Sequence, residues 1–448
     1  MFNRRQILAA GAVAAAVPGT FACATTGGLS GASGFVRRDG MGLTLNGKAY
    51  RFTGTNAWYL PWLGADADYG DHGRLTRELD RLKEDGVNNI RVSASAELSP
   101  LKNSVRPAFR DRGTDYNETL LVGLDRTLSE MGRRNMKAVL YLTNFWEWSG
   151  GMMTYLSWIN GGRYINMNDP AHPWPEFADM NADFYRSAEA VGLYHDYVRA
   201  VVGRTNTLTG KRYADDPAIM AWQLSNEPRA AGANDKVRQN QPAFLTWVND
   251  TARLIKSIAP NQLVSTGSEG LKGSGEQADI VADTHRSPDI DYVTAHIWPG
   301  NWGWLDRQNM AQTHERACAL TAEYIAQHVE MSKGLNKPLI IEEFGYPRDG
   351  DVYDPAVPTT LRDGFYDTIY AAVLADARAG GPIAGTNFWA WNGEGRAAHP
   401  DFRFKSGDTA WLGDPPHEPQ GWYGVFDADA STRRRIRANA AAMSALSV

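Results

Sequence analysis

Residues 221–228 read Ala-Trp-Gln-Leu-Ser-Asn-Glu-Pro, and residues 338–345 read Pro-Leu-Ile-Ile-Glu-Glu-Phe-Gly. Each segment is a short apolar run that ends in a carboxylate and a turn signal, which is typical of a buried strand with an acid at its end. Two acids delivered by two strands of one scaffold indicate an enzyme that uses a carboxylate pair. Glycoside hydrolysis needs such a pair, because one carboxyl group protonates the leaving oxygen while the other attacks the sugar or activates water.

Short apolar runs alternate with longer amphipathic stretches along the rest of the chain. The apolar runs predict eight strands, over residues 51–55, 89–93, 137–143, 219–225, 263–266, 292–296, 339–343 and 386–391. The amphipathic stretches predict eight helices, near residues 74–85, 118–134, 183–203, 244–258, 276–284, 314–333, 359–379 and 431–446. Eight strands alternating with eight helices is the count of an α/β fold of the (β/α)₈ or TIM-barrel type, here a single domain over residues 35–448.

The active site of such a barrel forms at the C-terminal ends of its strands. Polar and aromatic residues gather there, namely Arg91, Asn144, Trp146, Asn226, Glu227, His296, Trp298, Glu343 and Trp389. Strict alternation puts Glu343 and Glu342 on opposite faces of the seventh strand, so only one of the two can be catalytic. Pro228 disfavours helical geometry at Glu227, where we therefore expect an extended backbone.

The composition is that of a soluble globular protein, with 43% hydrophobic and 22% charged residues. The formal net charge of −5, without basic blocks, argues against nucleic acid or an anionic membrane as a partner. Many of the 15 Trp residues fall in predicted loops, where an aromatic ring can bind a sugar as well as pack in a core. Three acids near the predicted rim, Glu147, Glu269 and Glu394, could bind substrate, but solvated surface positions are favoured.

Residues 1–22 carry the features of an export signal of the twin-arginine type: Arg4 and Arg5, a short apolar stretch and small residues. The sequence thus predicts a periplasmic or extracellular protein without a transmembrane segment, because the apolar run is too short to span a bilayer. Residues 23–34 predict a flexible linker. Cys23 is a candidate site for a lipid anchor, but Thr20 stands where lipoprotein signals usually have Leu, which favours ordinary cleavage.

The segments Asn226-Glu227-Pro228 and Glu343-Phe344-Gly345 resemble the strand-four and strand-seven signatures of glycoside hydrolase family 5, and within it the bacterial β-mannanase subfamily. Further matches lie at residues 88–93, 143–151, 296–302 and 421–427, so the resemblance covers essentially residues 35–448. It implies a retaining endo-β-1,4-mannanase that acts on a β-mannan-type polysaccharide or oligosaccharide. We expect a monomer with no cofactor and no metal, because two carboxylates suffice for the reaction.

The resemblance also implies roles for single residues. Glu227 would be the general acid/base and Glu343 the nucleophile. Arg91 would keep the nucleophile ionised, and Asn226 would bind the sugar 2-hydroxyl. His296 would orient the acid/base, whose pKa is expected to be raised.

Four further residues are expected to contact the substrate or to support that contact. Trp389 would lie beneath the reacting ring, with Trp391 as the fallback, and the Trp389–Ala390 bond is predicted to be cis. Trp146 is a candidate sugar contact. Trp298 replaces a Tyr, and Asn144 replaces a His, that relatives often carry, so their roles differ in detail.

Three alternatives remain open on the sequence alone. The first is a β-1,4-glucanase, whose substrate differs from mannan only in the configuration of the 2-hydroxyl. The second is an exo-acting β-mannosidase, in which a long loop would wall off one end of the cleft. The alternative from another class is a non-catalytic glycan-binding protein, whose expected mark is the loss of one catalytic glutamate. Both glutamates are present.

Overall fold

Eight parallel strands form the centre of the computed structural model, which describes residues 34–447. The strands are β1 (Phe52–Asn56), β2 (Asn89–Ser93), β3 (Lys137–Tyr141), β4 (Ile219–Gln223), β5 (Leu263–Ser265), β6 (Val293–Ile297), β7 (Leu339–Phe344) and β8 (Ile383–Phe388). The helices that alternate with them are α1 (His72–Glu84), α2 (Glu118–Arg133), α3 (Ala188–Val202), α4 (Asn234–Ile258), α5 (Ala278–His285), α6 (Met310–Leu335), α7 (Thr360–Arg378) and α8 (Ala430–Ala445). The predicted α/β barrel is confirmed. The predicted export signal, the linker up to residue 33 and Cys23 lie outside the described residues.

The barrel is nearly closed. Strands follow one another in chain order, and β8 pairs with β1, so that only β5 and β6 lack a ladder between them. Two backbone hydrogen bonds span this seam, from the Asp291 N–H to the Val264 carbonyl at 2.7 Å and from the His296 N–H to the Glu269 carbonyl at 3.1 Å. The eight strand ends therefore open onto one common mouth.

The residues before β1 close the opposite end. Three short antiparallel strands, Val36–Asp39, Gly42–Leu45 and Lys48–Ala49, form a small separate sheet. Its Val36 and Leu43 pack with barrel residues such as Ile340 in one buried apolar cluster. The sequence gives no expectation for this sheet.

Several predicted boundaries are wrong in an instructive way. Helix α4 begins ten residues before the predicted start and runs through Pro242. Pro242 is exposed, so the carbonyl that it leaves without an intrahelical partner can bind water. The third and fourth strands end two residues earlier than predicted, and the residues beyond their ends belong to the loops of the mouth.

The loops around the mouth contain structure of their own. The α-helical segments there are Leu60–Gly64, Gly151–Ile159 and Glu176–Asn181, and the 3₁₀ turns of the chain are Glu147–Ser149, Ala182–Arg186, Tyr213–Asp215, Lys272–Ser274 and Asp349–Asp351. Among residues 34–447 there is no helix with both the length and the apolarity that crossing a bilayer requires.

The long loop after β8, residues 394–424, is anchored to the barrel by one buried carboxylate. Trp391–Gly393 and Val425–Phe426 pair at the two ends of the loop. Asp414, only 1% exposed, accepts hydrogen bonds from the Asn392 side chain at 2.7 Å and from three backbone N–H groups, those of Gly421, Tyr423 and Gly424, at 2.8, 2.7 and 3.0 Å. A buried carboxyl group that accepts several hydrogen bonds fixes the course of a loop that has few ladder hydrogen bonds of its own.

We expect Asp414→Ala to lower the free energy of unfolding by about 3 kcal/mol, because it leaves several buried donors without an acceptor. Urea unfolding followed by tryptophan fluorescence measures this loss. The matched control is Asp401→Ala, an exposed acid of the same loop, which should change stability by less than about 0.5 kcal/mol. Equal effects of the two variants would contradict the anchoring role.

Candidate active site

Glu227 and Glu343 meet at the mouth of the barrel. Glu227 follows β4 and Glu343 lies near the end of β7, and both are buried, with 6% and 2% of their surface exposed. One oxygen of each carboxyl group and one ring nitrogen of His296 all lie within 4.8 Å of one another. A separation of about 5–5.5 Å is that of a nucleophile and its acid/base partner, whereas the water-activating arrangement needs about 6.5–9.5 Å.

A β-bulge in β7 corrects the expectation that Glu342 and Glu343 face opposite ways. In the pairing of β7 with β6, Ile341 lies opposite Ala295 and Glu343 lies opposite His296, so that Glu342 is an extra residue. A bulge of this kind re-aims the side chains at its position. As a result both glutamates approach Arg91, Glu343 in a direct hydrogen bond and Glu342 at 3.6 Å.

Arg91 is fully buried and uses all three of its guanidinium nitrogens. Its Nη1 donates to Glu343 and to Asn56, its Nη2 donates to Asn226 at 2.8 Å, and its Nε donates to Gln223 at 2.7 Å. The guanidinium also stacks 4.8 Å from the ring centre of Tyr141. A buried cation needs partners of this number and quality, so the orientation of Glu343 is fixed from beneath.

His296 joins the two carboxyl groups. Its Nδ1 lies 2.6 Å from a Glu227 oxygen and 3.3 Å from a Glu343 oxygen. Burial alone would lower the pKa of His296, but the charge that Glu343 carries when it is ionised and the hydrogen bond to Glu227 raise it to about 10. The ring is therefore an imidazolium at neutral pH, and its Nδ1–H donates to Glu227.

The two carboxyl groups titrate as a pair. Burial tends to raise the pKa of Glu227, but the hydrogen bond and the charge of His296 outweigh it and lower that pKa to about 2. Burial and the charge of Glu227 raise the pKa of Glu343 to about 8, against the opposing charges of His296 and Arg91. The pair thus holds one proton at neutral pH. We predicted a raised pKa for Glu227 and an ionised Glu343. The structure indicates the opposite: the pKa of Glu227 is lowered, so Glu227 carries the negative charge, and the pKa of Glu343 is raised.

The backbone at Glu227 also differs from the prediction. Its φ is +47°, in the left-handed region and not in the extended one. Pro228 excludes the right-handed helical region, as predicted, but leaves the left-handed one open. A non-glycine residue in this region costs on the order of 1 kcal/mol and is found mainly at functional sites. The Glu227 N–H donates to the Gly267 carbonyl at 2.9 Å, which stabilises this conformation.

A cavity of about 500 Å³ opens above the two glutamates and is lined by tryptophans. Its volume lies within the usual range for small-molecule sites, about 300–1,000 Å³. Trp146, Trp298, Trp389 and Asn226 line it together with Glu227 and Glu343. Trp391 is fully buried and is not part of the wall, which decides between Trp389 and its fallback. The Trp389–Ala390 bond is cis, as predicted.

Arg91, Asn144 and His296 are fully buried behind the wall of this cavity. The Asn144 oxygen accepts a hydrogen bond from the Asn226 amide at 3.0 Å, while Arg91 donates to the Asn226 oxygen. We therefore assign these three residues to the support of the wall, and not to the direct contact with a ligand that we expected from the sequence.

On the Glu227 side, the cavity has an aromatic and cationic wall that the sequence does not reveal. Arg229 lies over the rings of Trp146 and Trp174, at 5.0 and 5.6 Å, and donates two hydrogen bonds to Glu269. Glu269 is 2% exposed, so its predicted solvated position is wrong. Trp174 is 56% exposed at the rim. The position of Arg229, two residues after Glu227, is the one signal that could have indicated this wall.

On the Trp389 side, the loop of residues 394–424 enters the wall through Pro415, His417 and Glu418. His417 Nδ1 lies 3.2 Å from Glu147, whose expected surface position is also wrong because it is 2% exposed. Burial would lower the pKa of His417, but the charge of Glu147 and its hydrogen bond raise it to about 10. The Oε2 atoms of Glu147 and Glu418 are buried and have no hydrogen-bond partner within the described residues.

Trp298 both approaches the predicted acid/base and packs against the neighbouring Trp389. Its Nε1 lies 3.4 Å from a Glu227 oxygen, so it approaches the predicted acid/base and not the predicted nucleophile. Its ring packs edge-on to Trp389 at 5.9 Å and against Tyr423 at 5.1 Å. Trp298 therefore holds the Trp389 ring in place while facing the cavity.

The group of Glu227, His296 and Glu343 has the ligand types that could hold a metal ion. His296 Nδ1 and Glu227 are, however, already within hydrogen-bonding distance of each other, and Arg91 donates to Glu343. An adjacent buried guanidinium opposes a second cation by direct charge repulsion. The arrangement is that of two carboxyl groups held by hydrogen bonds from His296 and Arg91.

Comparison with known proteins gives consistent results. Residues 33–447 match the family model described as GH family 5 beta-mannosidase-like. A glycoside hydrolase family 5 mannosidase from Rhizomucor miehei is 35% identical, with a TM-score of 0.84 over 92% of this chain and 98% of the other. A protein named putative mannan endo-1,4-beta-mannosidase 4, from Arabidopsis thaliana, is 30% identical over 81% of this chain and 84% of its own length.

The endo-1,4-beta-mannanase of Rhizomucor miehei, 24% identical with a TM-score of 0.65 over 92% of this chain and 99% of the other, shares the fold. The two more similar relatives are fungal and plant proteins, so they do not support the predicted bacterial subfamily. With a matching family model over nearly all described residues and a buried glutamate pair at the barrel mouth, the chain belongs to the β-mannosidase-like proteins of glycoside hydrolase family 5 and is a glycoside hydrolase.

Proposed function

We propose that this enzyme hydrolyses β-1,4-mannosidic bonds of mannan, glucomannan or galactomannan by double displacement, with retention of configuration. The observation that carries the proposal is the close approach of the Glu227 and Glu343 carboxyl groups, within 4.8 Å. Such a close approach agrees better with the separation of about 5–5.5 Å in retaining enzymes than with the about 6.5–9.5 Å that the inverting mechanism needs. The names of the relatives, a mannosidase and a mannan endo-1,4-beta-mannosidase, support mannan as the substrate.

In the first step Glu343 attacks the anomeric carbon while Glu227 gives its proton to the leaving oxygen. A mannosyl ester of Glu343 forms, and Glu227 is left as a carboxylate. In the second step Glu227 takes a proton from water as the water attacks the ester, which restores both groups. Asn226 is held on both sides, by Arg91 and by Asn144, and lines the cavity where it can bind a sugar hydroxyl.

The proton on the carboxyl pair must lie on Glu227 when the first step begins. In the free enzyme the negative charge lies on Glu227, to which His296 donates. A sugar bound above Glu343 brings its leaving oxygen to Glu227, so the proton is needed there. Arg91 already donates to Glu343, so this residue can accept the charge. We propose that substrate binding shifts the proton from Glu343 to Glu227.

Two modes of attack on the polymer are compatible with this chemistry. Endo action, the mode expected from the sequence, is supported by the names of the plant relatives. Exo action is supported by the long loop of residues 394–424, whose Pro415, His417 and Glu418 form part of the cavity wall. Early products from mannan separate them, since endo action gives a spread of oligosaccharides and exo action gives a single small product.

We also propose that the enzyme is exported and works outside the cytoplasm. The proposal rests on the twin arginines and the short apolar stretch of residues 1–22. It agrees with a polymeric substrate that is too large to enter a cell.

Variants of the two glutamates test the mechanism. On mannan, Glu227→Ala should lose about 10²–10⁴-fold in kcat, the usual contribution of general acid/base catalysis. Glu343→Ala should lose more than about 10⁴-fold, because no covalent intermediate can form. Glu394→Ala is the matched control, since Glu394 pairs with Arg77 and does not line the cavity. Full activity of either catalytic variant would overturn the assignment. Binding without turnover in the unaltered enzyme would favour a glycan-binding protein.

The pH dependence follows from the shared proton. Because the pKa of Glu343 is raised to about 8, the pair keeps one proton below that pH and loses it above. We expect kcat/KM for a short β-mannoside to fall with an apparent pKa near 8, since no proton is then left for the leaving group. Circular dichroism over the same pH range controls for unfolding. A constant kcat/KM well above pH 8, with the protein folded, would contradict the proton count.

Glu418 tests the contribution of the wall to the mode of action. Glu418→Ala removes a carboxylate from the Trp389 side of the cavity and widens it. We expect the share of longer products from mannohexaose to rise, with little change in turnover of a short aryl mannoside. Chromatography of the early products measures this share. An unchanged product pattern would mean that the wall does not limit the length of the bound chain.

A further inference from the structure

We infer that Glu342, the acid directly before the proposed nucleophile, is a positioning residue that keeps His296 in its imidazolium form, so that one histidine N–H serves Glu227 and Glu343 in turn. The inference rests on the proposed double displacement and deepens it. The proposed mechanism assigns no part to Glu342.

The bulge in β7 places Glu342 beneath the catalytic pair, inside the barrel. Glu342 is 1% exposed, and its Oε1 accepts a hydrogen bond from the Gln223 amide at 2.6 Å. The amide oxygen of Gln223 accepts a hydrogen bond from Arg91 Nε at 2.7 Å, so these three side chains form one chain of contacts. The Oε2 of Glu342 lies 3.6 Å from His296 Nε2 and 3.6 Å from Arg91 Nε.

Neither Glu342 Oε2 nor His296 Nε2 has a hydrogen-bond partner within the described residues, and the two atoms lie 3.6 Å apart. Glu342 therefore presents a negative charge to the side of His296 that faces away from Glu227. An anion at this distance favours the protonated form of a buried imidazole.

The contacts of His296 Nδ1 show why its protonation matters. This atom lies 2.6 Å from Glu227 and 3.3 Å from Glu343. During double displacement the negative charge alternates between these two residues, on Glu343 before the attack and on Glu227 in the glycosyl-enzyme. A small movement of the ring lets the same N–H follow the charge. A neutral ring could instead present an unprotonated Nδ1 to a carboxylate, which would lose that hydrogen bond.

The other charged and titratable groups around Glu342 are consistent with a permanent negative charge on it. Arg91 lies on β2, His296 on β6 and Glu343 on β7. Tyr292 directly precedes β6. Burial tends to raise the pKa of Glu342, but Arg91 and His296 outweigh burial and lower it. With Glu342 ionised, the two cations Arg91 and His296 are each shared between Glu342 and Glu343. Charges buried in this way are tolerated because each has an opposite neighbour.

The test compares Glu342→Gln with Glu97→Gln in the full-length enzyme. Glu97 is an equally buried acid held by Ser95, Thr143 and Gly151, and it contacts neither glutamate of the pair. Two quantities are measured for each variant: the pH profile of kcat/KM on a short β-mannoside, and the protonation of His296 by nitrogen-15 NMR of labelled histidine.

For Glu342→Gln we expect the alkaline limb of the profile to move to lower pH by about one unit, since loss of the charge lowers the pKa of both His296 and Glu343. The NMR titration of His296 should move in the same direction, and kcat should fall more than KM changes. Glu97→Gln should leave both titrations in place. Glu342→Asp, which keeps the charge, should restore the limb and controls for a folding defect in the glutamine variant.

An unmoved limb together with an unmoved His296 titration in Glu342→Gln would overturn the inference and leave a structural role for Glu342. The proposed function is tested separately by adding azide to Glu343→Ala with an activated aryl mannoside. Formation of α-mannosyl azide identifies Glu343 as the nucleophile. Rescue of Glu342→Ala instead of Glu343→Ala would exchange the two glutamates and overturn both proposals.

Discussion

The burial of Arg91 is the constraint on which the site depends. A guanidinium without solvent must have its donors satisfied and its charge balanced, or it would destabilise the fold by several kcal/mol. Here the negative charge comes from Glu342, and the donors are taken up by Gln223, Asn56, Asn226 and Glu343. The residues that would do chemistry are thus also the residues that make a buried charge tolerable, so the site is rigid before any substrate arrives.

The barrel contributes a second constraint. Successive side chains of a strand point to opposite faces of the sheet. An inward-facing acid on β7 would therefore ordinarily have outward-facing neighbours in the chain. The bulge between Ile341 and Glu343 interrupts this alternation at one residue, Glu342. Glu342 and Glu343 can then both approach Arg91, at different depths inside the barrel. One of them lines the cavity, and the other lies 1% exposed beneath it.

The architecture could be predicted because each strand of a parallel barrel is a short apolar run, and because two of these runs end in recognisable acid-containing segments. Glu227, Glu343, Asn226 and Trp389 could be placed at the mouth for the same reason. Other features depend on contacts that are distant in sequence. Glu147 and Glu269 look like surface acids until His417 and Arg229 are found beside them. The left-handed backbone of Glu227 is stabilised by the carbonyl of Gly267, and the bulge has no local sequence signature.

The two sides of the cavity are held by separate hydrogen-bond networks. The catalytic array is fixed inside the barrel by Arg91, whereas the loop of residues 394–424 is fixed by Asp414 and its own backbone. Insertions, deletions or substitutions between the two ends of that loop can therefore reshape the space available to a glycan while the acid pair keeps its geometry. In evolutionary terms, such a barrel can keep its chemistry in one part of the chain while the choice of glycan diversifies in another.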